Sequence, residues 1–300
     1  MQLVKELADF SLFLIFYLKE KLFKEKQNCS EEIMKTEQEK LIVTVTTANA
    51  WIYPEAKNYP KTPEEIAETV YRCYSEGASI AHVHLPKNAS KKTVELIREK
   101  CDIIIQAGMS SDPINERQEL FDSKPDMVSI IVNHHDEVFL DVEVNRLHPR
   151  KELEEYCKVC RKTGIKSEFE VWHHGSVWNL NYLVRKNLID KPYFLTLFLG
   201  WPGGTWSPPT KDELLHRIKY LPPDCVCSVS VMGPNQDIIL PLAIKLEKHV
   251  RVGTEDYPYL KKGVLAKDNT ELVRKIVKVG KEKGREIADP SEARKMIGVH

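Results

Sequence analysis

Residues 41–84 read LIVTVTTANAWIYPEAKNYPKTPEEIAETVYRCYSEGASIAHVH, and they contain the unit that the rest of the chain repeats. The run at 41–46 is short, apolar and β-branched, which is typical of a buried strand. Thr62-Pro63-Glu64-Glu65 is a capping box with proline at the first helical position, so it predicts the start of a helix. Gly77 predicts the end of that helix. A second strand is then expected at 79–84.

The same alternation of a short apolar strand and a capped helix continues to the end of the chain. Further strands are predicted at 102–106, 127–132, 166–172, 193–199, 225–231 and 249–253, and the helix after the third strand is predicted near 114–121. Parallel neighbours need crossover connections, so eight such units predict an α/β fold with a (β/α)8 TIM barrel. A doubly wound open sheet is the alternative, but its glycine-rich phosphate turn is replaced here by TTANAW after the first strand.

Composition excludes some classes of function. The 300 residues contain 44 Lys plus Arg and 44 Asp plus Glu, which removes the electrostatic signature of a nucleic-acid-binding protein. Nor does the charge balance favour an anionic membrane surface as a partner. Seven cysteines form no dense module in this long chain, so a reducing compartment, the cytoplasm, is expected.

Residues 1–40 differ in pattern and are interpreted as a helical or flexible N-terminal extension to a catalytic domain at 41–300. The apolar run at 10–18, FSLFLIFYL, is far shorter than the roughly 20 residues of a membrane span. No cleavage site for a signal peptide is evident. An extra amphipathic helix is favoured over an interfacial anchor, and stable membrane insertion is not expected. Because Met34 directly precedes the predicted fold, residues 1–33 are expected to be dispensable.

Polar side chains that are costly to bury occur where the predicted strands end. The active site of a barrel lies at these carboxyl ends of the strands. His82 and His84 alternate along the second strand, so they share one face and can clamp a metal. Two histidines satisfied by ordinary hydrogen bonds are the alternative. Glu168 and Glu170 likewise share a face of the fifth strand, and two inward carboxylates are expensive unless they are paired or used. Outward-facing glutamates are the alternative there.

The eighth strand runs into Arg251-Val-Gly-Thr-Glu255-Asp256. Arg251 and Glu255 have the same parity if the strand extends that far. Glu255 would then add a carboxylate to the two histidines and leave a metal position open for substrate. A surface salt bridge between Arg251 and Glu255 is the alternative interpretation.

Residues 41–298 resemble the β-keto acid cleavage enzyme family. The matching stretches include TPEEIAE, IAHVH, EFEVW, LFLGWPGG, HVRVGTEDYPYLKKGVLAKDN and GREIADPSEARKMIG. The resemblance implies a (β/α)8 barrel, usually a homotetramer, with one zinc. It implies the reaction of a β-keto acid with acetyl-CoA, giving acetoacetate and a new CoA ester. The zinc ligands carry over to His82, His84 and Glu255, and the catalytic groups to Arg251, Asp256 and Glu170.

The resemblance is weaker at the substrate contacts. After the third strand the family has a Ser-Thr-Gly-Gly turn that holds the substrate carboxylate, and this chain has Gly108-Met109-Ser110-Ser111. Ser110 is the candidate that could substitute through a shifted loop. Asn133 is the candidate for the asparagine expected after strand four. Trp51 stands where the amino-keto acid enzyme carries a glutamate, so we expect a substrate whose distal end has no ammonium group.

Two rival functions are considered. A zinc-dependent barrel hydrolase also uses His-x-His, but it places that motif on the first strand and needs further histidines at later strand ends. A non-catalytic protein that binds a keto acid or CoA is the second rival, because the turn after strand three is altered.

Overall fold

The structure is a computed structural model that describes residues 39–49, 51–140 and 142–300. Its strands are β1 (Val43–Thr46), β2 (Ile80–Val83), β3 (Ile104–Ala107), β4 (Met127–Ile131), β5 (His134–Phe139), β6 (Val142–Leu147), β7 (Lys166–Val171), β8 (Tyr193–Leu199), β9 (Cys225–Val231), β10 (His249–Gly253), β11 (Tyr259–Lys261) and β12 (Val264–Leu265). The predicted N-terminal extension, 1–40, lies outside the described residues except for its last two positions.

Eight parallel strands close into a barrel in the order β1-β10-β9-β8-β7-β4-β3-β2. β1 pairs with β2 on one side and with β10 on the other, so no strand of this sheet is left at an edge. The closure confirms the predicted (β/α)8 barrel and excludes the doubly wound open sheet. All eight predicted strands are present, with bounds that differ by at most a few residues.

The α-helices of the described chain are α1 (Pro63–Ser75), α2 (Ser90–Lys100), α3 (Gln118–Asp122), α4 (Arg150–Thr163), α5 (His174–Arg185), α6 (Lys211–Lys219), α7 (Gln236–Lys245), α8 (Asn269–Glu282) and α9 (Pro290–Ile297). The capping box predicted at Thr62 and Glu65 forms at the start of α1. Asp289 and Glu292 form another at the start of α9. These caps satisfy amide groups that the first helical turn leaves unpaired, which is why the sequence marks the helix starts so clearly.

The barrel strands bury both faces. Their outward side chains, such as Val43 and Val45 of β1, belong to the main hydrophobic cluster together with helix residues such as Ile66 and Val70 of α1. Inside the barrel, a second cluster that includes Ile80 lies at the strands' amino-terminal ends. Polar side chains replace it toward the carboxyl ends, so an apolar floor lies beneath a polar site.

Three features depart from the predicted alternation. A hairpin, β5–β6, is inserted between β4 and α4, and a second short hairpin, β11–β12, follows β10. The helix expected near 114–121 is a 3-10 turn, Ile114–Glu116, followed by α3. Between the two stands Arg117, whose buried guanidinium donates to the carbonyls of Gly108 and Ser129 at 2.9 Å each. That side chain ties the end of β3 to the middle of β4.

None of the helices within residues 39–49, 51–140 and 142–300 is long and apolar enough to cross a membrane.

Candidate metal centre and active site

β2 places two histidines at the mouth of the barrel. His82 is buried, His84 is partly exposed, and their ring centroids lie 5.3 Å apart. The Nδ1 of His82 is 3.0 Å from Oε1 of Gln106 on β3, which accepts its proton. That hydrogen bond leaves the Nε2 lone pair of His82 free to bind a metal, an arrangement found behind most metal-binding histidines.

Glu255 follows β10 and faces both histidines. Its Oε1 is 3.6 Å from His84 Nε2, and its Oε2 is 3.8 Å from His82 Nε2. One ligand atom from each of the three residues lies within 4.8 Å of the others. Tetrahedral zinc with ordinary bond lengths separates its ligand atoms by roughly 3.4 Å, so these donors fit such an ion with small adjustments.

Arg251 of β10 is held among three carboxylate oxygens. Its Nη2 donates to Glu255 Oε2 at 2.6 Å and to Asp256 Oδ1 at 3.0 Å, and its Nε donates to Asp256 Oδ2 at 3.2 Å. Thr46 also donates to Glu255 Oε2, and Ser230 donates to Asp256. With Oε2 occupied in this way, Oε1 is the oxygen that Glu255 presents toward His84.

The charges of the site follow from burial and pairing. Burial alone would raise the pKa of Glu255, but Arg251 and the two histidines hold it at about 2, so Glu255 stays anionic. Burial lowers the pKa of Arg251, yet the carboxylates of Asp256 and Glu255 raise it above its usual value. Burial and Arg251 lower the pKa of His82, which keeps that ligand neutral. The site therefore contains a permanent cation beside neutral imidazole and an ionised carboxylate.

Glu170 of β7 stands on the opposite wall with both oxygens hydrogen-bonded. Ser110 Oγ donates to Oε1 at 2.9 Å, and Trp172 Nε1 donates to Oε2 at 2.9 Å. Glu168, two residues earlier, also points inward and is buried. The outward-facing alternative for these two glutamates is therefore wrong, and so is the surface salt-bridge interpretation of Arg251 and Glu255.

One cavity of about 150 Å³ joins these groups. Among the predicted site residues, it is lined by His82, His84, Glu255, Arg251, Glu170, Ser110 and Trp51. Asp256 lies directly behind it, in contact with Arg251. Asn133 is not among the residues that line this cavity. Its carbonyl accepts from the amide of His148 at 2.8 Å, so it closes the base of the β5–β6 hairpin instead.

The hairpin contributes a wall that strand parity does not predict. His135, Glu137 and Val144 line the cavity, and His135 Nε2 lies 3.6 Å from Glu137 Oε2. Asp136, between them, accepts from the amide groups of Gly204 and Thr205. Those amides belong to the glycine-rich loop after β8, so the hairpin carboxylate occupies donors that an external anion would otherwise use.

Gly108 ends β3 directly beside the two histidines. A Cβ atom at this position would lie 2.4 Å from His84 Cδ2 and 2.7 Å from His82 Nε2. The family's serine therefore has no room here with the imidazoles in these positions. The next residue, Met109, adopts φ 61°, and the chain then brings Ser110 into the cavity.

The family model described as beta-keto acid cleavage enzyme matches residues 40–299 of this chain. The chain belongs to the β-keto acid cleavage enzyme family. It is 34% identical to the 3-keto-5-aminohexanoate cleavage enzyme of Acetoanaerobium sticklandii over 282 residues, covering 87% of this chain and 99% of that protein. The resemblance to this family is thus confirmed, and so is the expectation that the chain is an enzyme of β-keto acid cleavage.

Other relatives of this chain are named for different substrates. The 3-dehydrocarnitine:acetyl-CoA trimethylamine transferase of Rhizobium meliloti is 24% identical, over 87% of this chain and 96% of that one. Among solved structures, apo ObcA superposes with a TM-score of 0.67 at 18% identity, covering 81% of this chain and 66% of its own. At that identity the likeness supports the barrel fold alone.

Proposed function

We propose that this enzyme uses zinc, held by His82, His84 and Glu255, to cleave a β-keto acid with acetyl-CoA, giving acetoacetate and a new CoA ester. The observation that carries the proposal is the meeting of these three ligand side chains with Arg251 in one cavity of a family member. When bound, the ion would polarise the keto group and acidify the carbon between the two carbonyls. Two neutral histidines and one carboxylate suit zinc and leave coordination open to substrate.

Arg251 supplies fixed positive charge. Because Asp256 and Glu255 keep it protonated, it cannot act as a base and instead stabilises the negative charge that develops on the substrate. Asp256 orients the guanidinium through two hydrogen bonds. Phe198 lies under it, with the Arg251 Cζ 5.1 Å from the ring centroid.

Glu170 is the carboxylate placed to hold the substrate proton. It lines the cavity, and its two hydrogen bonds from Ser110 and Trp172 fix its orientation toward the ligand space. We propose that Glu170 holds the proton removed from the substrate carbon while the resulting carbanion attacks the acetyl thioester and displaces CoA thiolate. The thiolate then adds to the substrate keto carbon, the bond between that carbon and the former carbanion breaks, and the acetoacetate carbanion that leaves takes the proton back from Glu170. Ser110 is also the hydroxyl that would contact the substrate carboxylate.

The distal end of the substrate is proposed to be uncharged. Trp51 lines the cavity with its ring centroid 6.3 Å from that of His84, and Trp172, Phe198 and Trp201 add aromatic surface. Glu137 also lines this wall, with its Oε2 3.6 Å from His135 Nε2. At the position of Trp51 an ammonium group would meet an aromatic face in place of a carboxylate.

The experiment is an assay of CoA-ester formation across a panel of β-keto acids. With acetyl-CoA present, acetoacetate and one new CoA ester should appear in equal amounts, and prior removal of metal should abolish both. Hydrolysis without acetyl-CoA would instead support the barrel hydrolase. That rival has little structural support, because the inward His249 lies at the amino-terminal end of β10, where its Nδ1 accepts from the amide of Ile42 at 3.1 Å.

Binding of keto acid or CoA without any product would support the non-catalytic rival. We further propose that the enzyme works as a homotetramer in the cytoplasm, as the family resemblance and the cysteine content indicate. Sedimentation of the purified protein would test the assembly.

A further inference from the structure

The inward side chains of the barrel form levels of four, each built from alternate strands. The strand register places Thr44 of β1, Gln106 of β3, Glu168 of β7 and Ser228 of β9 on one such level. Thr44 pairs with Ile80, and Ile80 pairs with Ile104, which is two residues before Gln106. In the same way, Gln106 leads through Met127 to Lys166, two residues before Glu168. Glu168 leads through Phe194 to Val226, two residues before Ser228. We call these four residues the axial layer.

Each member of the axial layer is buried and carries a polar atom without a hydrogen-bond partner among the described residues. These atoms are Thr44 Oγ1, Gln106 Nε2, Glu168 Oε2 and Ser228 Oγ. Buried polar atoms in native proteins nearly always have partners, and buried waters supply them by making about three hydrogen bonds each. Four unpaired buried atoms on one interior level, contributed by four strands, therefore point to a common ligand on the barrel axis.

The levels above and below define the surroundings of the axial layer. Below it are Ile80, Met127 and Phe194, which belong to the apolar floor, and His249, whose Nδ1 accepts from the amide of Ile42. Above it is the level of His82 and Arg251, at the base of the metal centre. A ligand in the axial layer is thus sealed from the floor end of the barrel and lies directly beneath the site.

Gln106 connects the axial layer to the metal centre. Its Oε1 faces His82 Nδ1 at 3.0 Å, so its Nε2 is directed away from the histidine. If that amide donor has no acceptor, the orientation of Gln106 is not fixed. An acceptor in the axial layer would hold the amide in place and thereby fix both the tautomer and the position of His82.

Glu168 faces more negative charge than Arg251 can balance. Glu170 lies on the same face of β7, and Glu255 and Asp256 already share the guanidinium. Burial, and then the charge of Glu170, raise the pKa of Glu168 to about 8, against opposing effects of Thr196 and Arg251. A neutral carboxylic acid at this position both donates and accepts a hydrogen bond.

We propose that the axial layer is a water-binding site, and that Glu168 is an un-ionised positioning residue that donates to this water, which fixes Gln106 and through it His82. The consequence for metal binding rests on the proposed function, whereas the water site and the proton on Glu168 do not. Thr44 and Ser228 complete the hydrogen bonds of the water. Glu168 itself touches neither substrate nor metal in this proposal.

The first experiment is infrared spectroscopy of the metal-free protein at neutral pH. The difference between the wild-type protein and Glu168→Gln should show the carbonyl band of a protonated carboxylic acid, whereas Glu137→Gln, which replaces a cavity carboxylate on the β5–β6 hairpin, should leave that band in place. No such band in the wild-type protein would overturn the proposal. Because this measurement needs neither metal nor turnover, it remains decisive even if the proposed reaction is wrong.

The second experiment measures zinc affinity by competition with a chelator. Glu168→Gln retains a donor and an acceptor, so its affinity should stay within about twofold of wild type. Glu168→Leu removes both and should weaken binding about 10- to 100-fold, the usual effect of losing support behind a ligand. If Glu168→Leu does not fold, the double variant Thr44→Val/Ser228→Ala should weaken binding in the same direction. The proposal would be overturned if all variants bound zinc with wild-type affinity. It would also be overturned if Glu168→Gln lost as much zinc affinity as Glu168→Leu.

Discussion

Replacing Gly108 by alanine should remove the metal while leaving the barrel folded. The added Cβ would approach His84 Cδ2 to 2.4 Å, whereas ordinary contacts begin at 3.4 Å. One or both imidazoles must therefore move by nearly 1 Å, because the Gly108 backbone is anchored by Val83 and Arg117. Metal–ligand distances tolerate about 0.2 Å, so we expect zinc affinity to fall at least ~100-fold, or about 2.7 kcal/mol.

The assay is elemental analysis combined with chelator competition, and thermal unfolding reports on the fold. Crowding a well-packed site costs about 1–3 kcal/mol, which a domain of this size can absorb. Gly175→Ala is the matched control: its Cβ would lie 2.7 Å from His173 Cε1, a comparable clash with a histidine away from the metal centre. That variant should keep its metal. Wild-type zinc affinity in Gly108→Ala would refute the argument that the missing side chain makes room for the ligands.

Four further outcomes are expected. His82→Ala should lose its metal with the fold intact, and full metal occupancy by elemental analysis would contradict the ligand assignment. Arg251→Ala should retain metal but lose turnover by several orders of magnitude in the CoA-ester assay; near-normal turnover would show that its charge is not used. A protein beginning at Met34 should stay folded and keep metal, and loss of soluble protein on truncation would show that residues 1–33 are needed. Because Trp51 replaces a carboxylate, 3-ketohexanoate should be turned over better than 3-keto-5-aminohexanoate, and the opposite preference would assign Glu137 to the ammonium group.

The barrel could be predicted because its signals are local. Buried strands such as β8 are continuous apolar runs, and helix starts such as the capping box at Thr62 are readable over four residues. The helix predicted near 114–121 is interrupted at Arg117 for a non-local reason. Arg117 leaves the helical path to reach the carbonyls of Gly108 and Ser129, and no periodicity in the segment records those distant acceptors.

For the candidate metal site, strand parity predicts the pairing of His82 with His84. Arg251 and Glu255 also meet, but β10 ends at Gly253, so the turn over 254–256 rather than strand alternation brings Glu255 to the guanidinium. Strand parity also predicts that Thr46, Gln106 and Ser230 face the barrel interior. These polar residues were not among the predicted site residues, although the same rule identifies them. The cavity wall from β5–β6 was not accessible in this way. Its side chains reach the site only because the hairpin folds over the mouth of the barrel. No local pattern in the sequence after Asn133 predicts that position.

Because the β5–β6 hairpin forms part of the cavity wall, the residues that select the substrate are partly separate from those that carry the chemistry. The carboxyl ends of the barrel strands carry the candidate ligands and the charges, whereas His135, Glu137 and Val144 reach the cavity from an insertion outside the barrel's strand order. Substitutions in the hairpin can therefore alter which molecules fit without disturbing how they react. Enzymes with the same scaffold can diversify along this route, and loops are where such divergence is tolerated best.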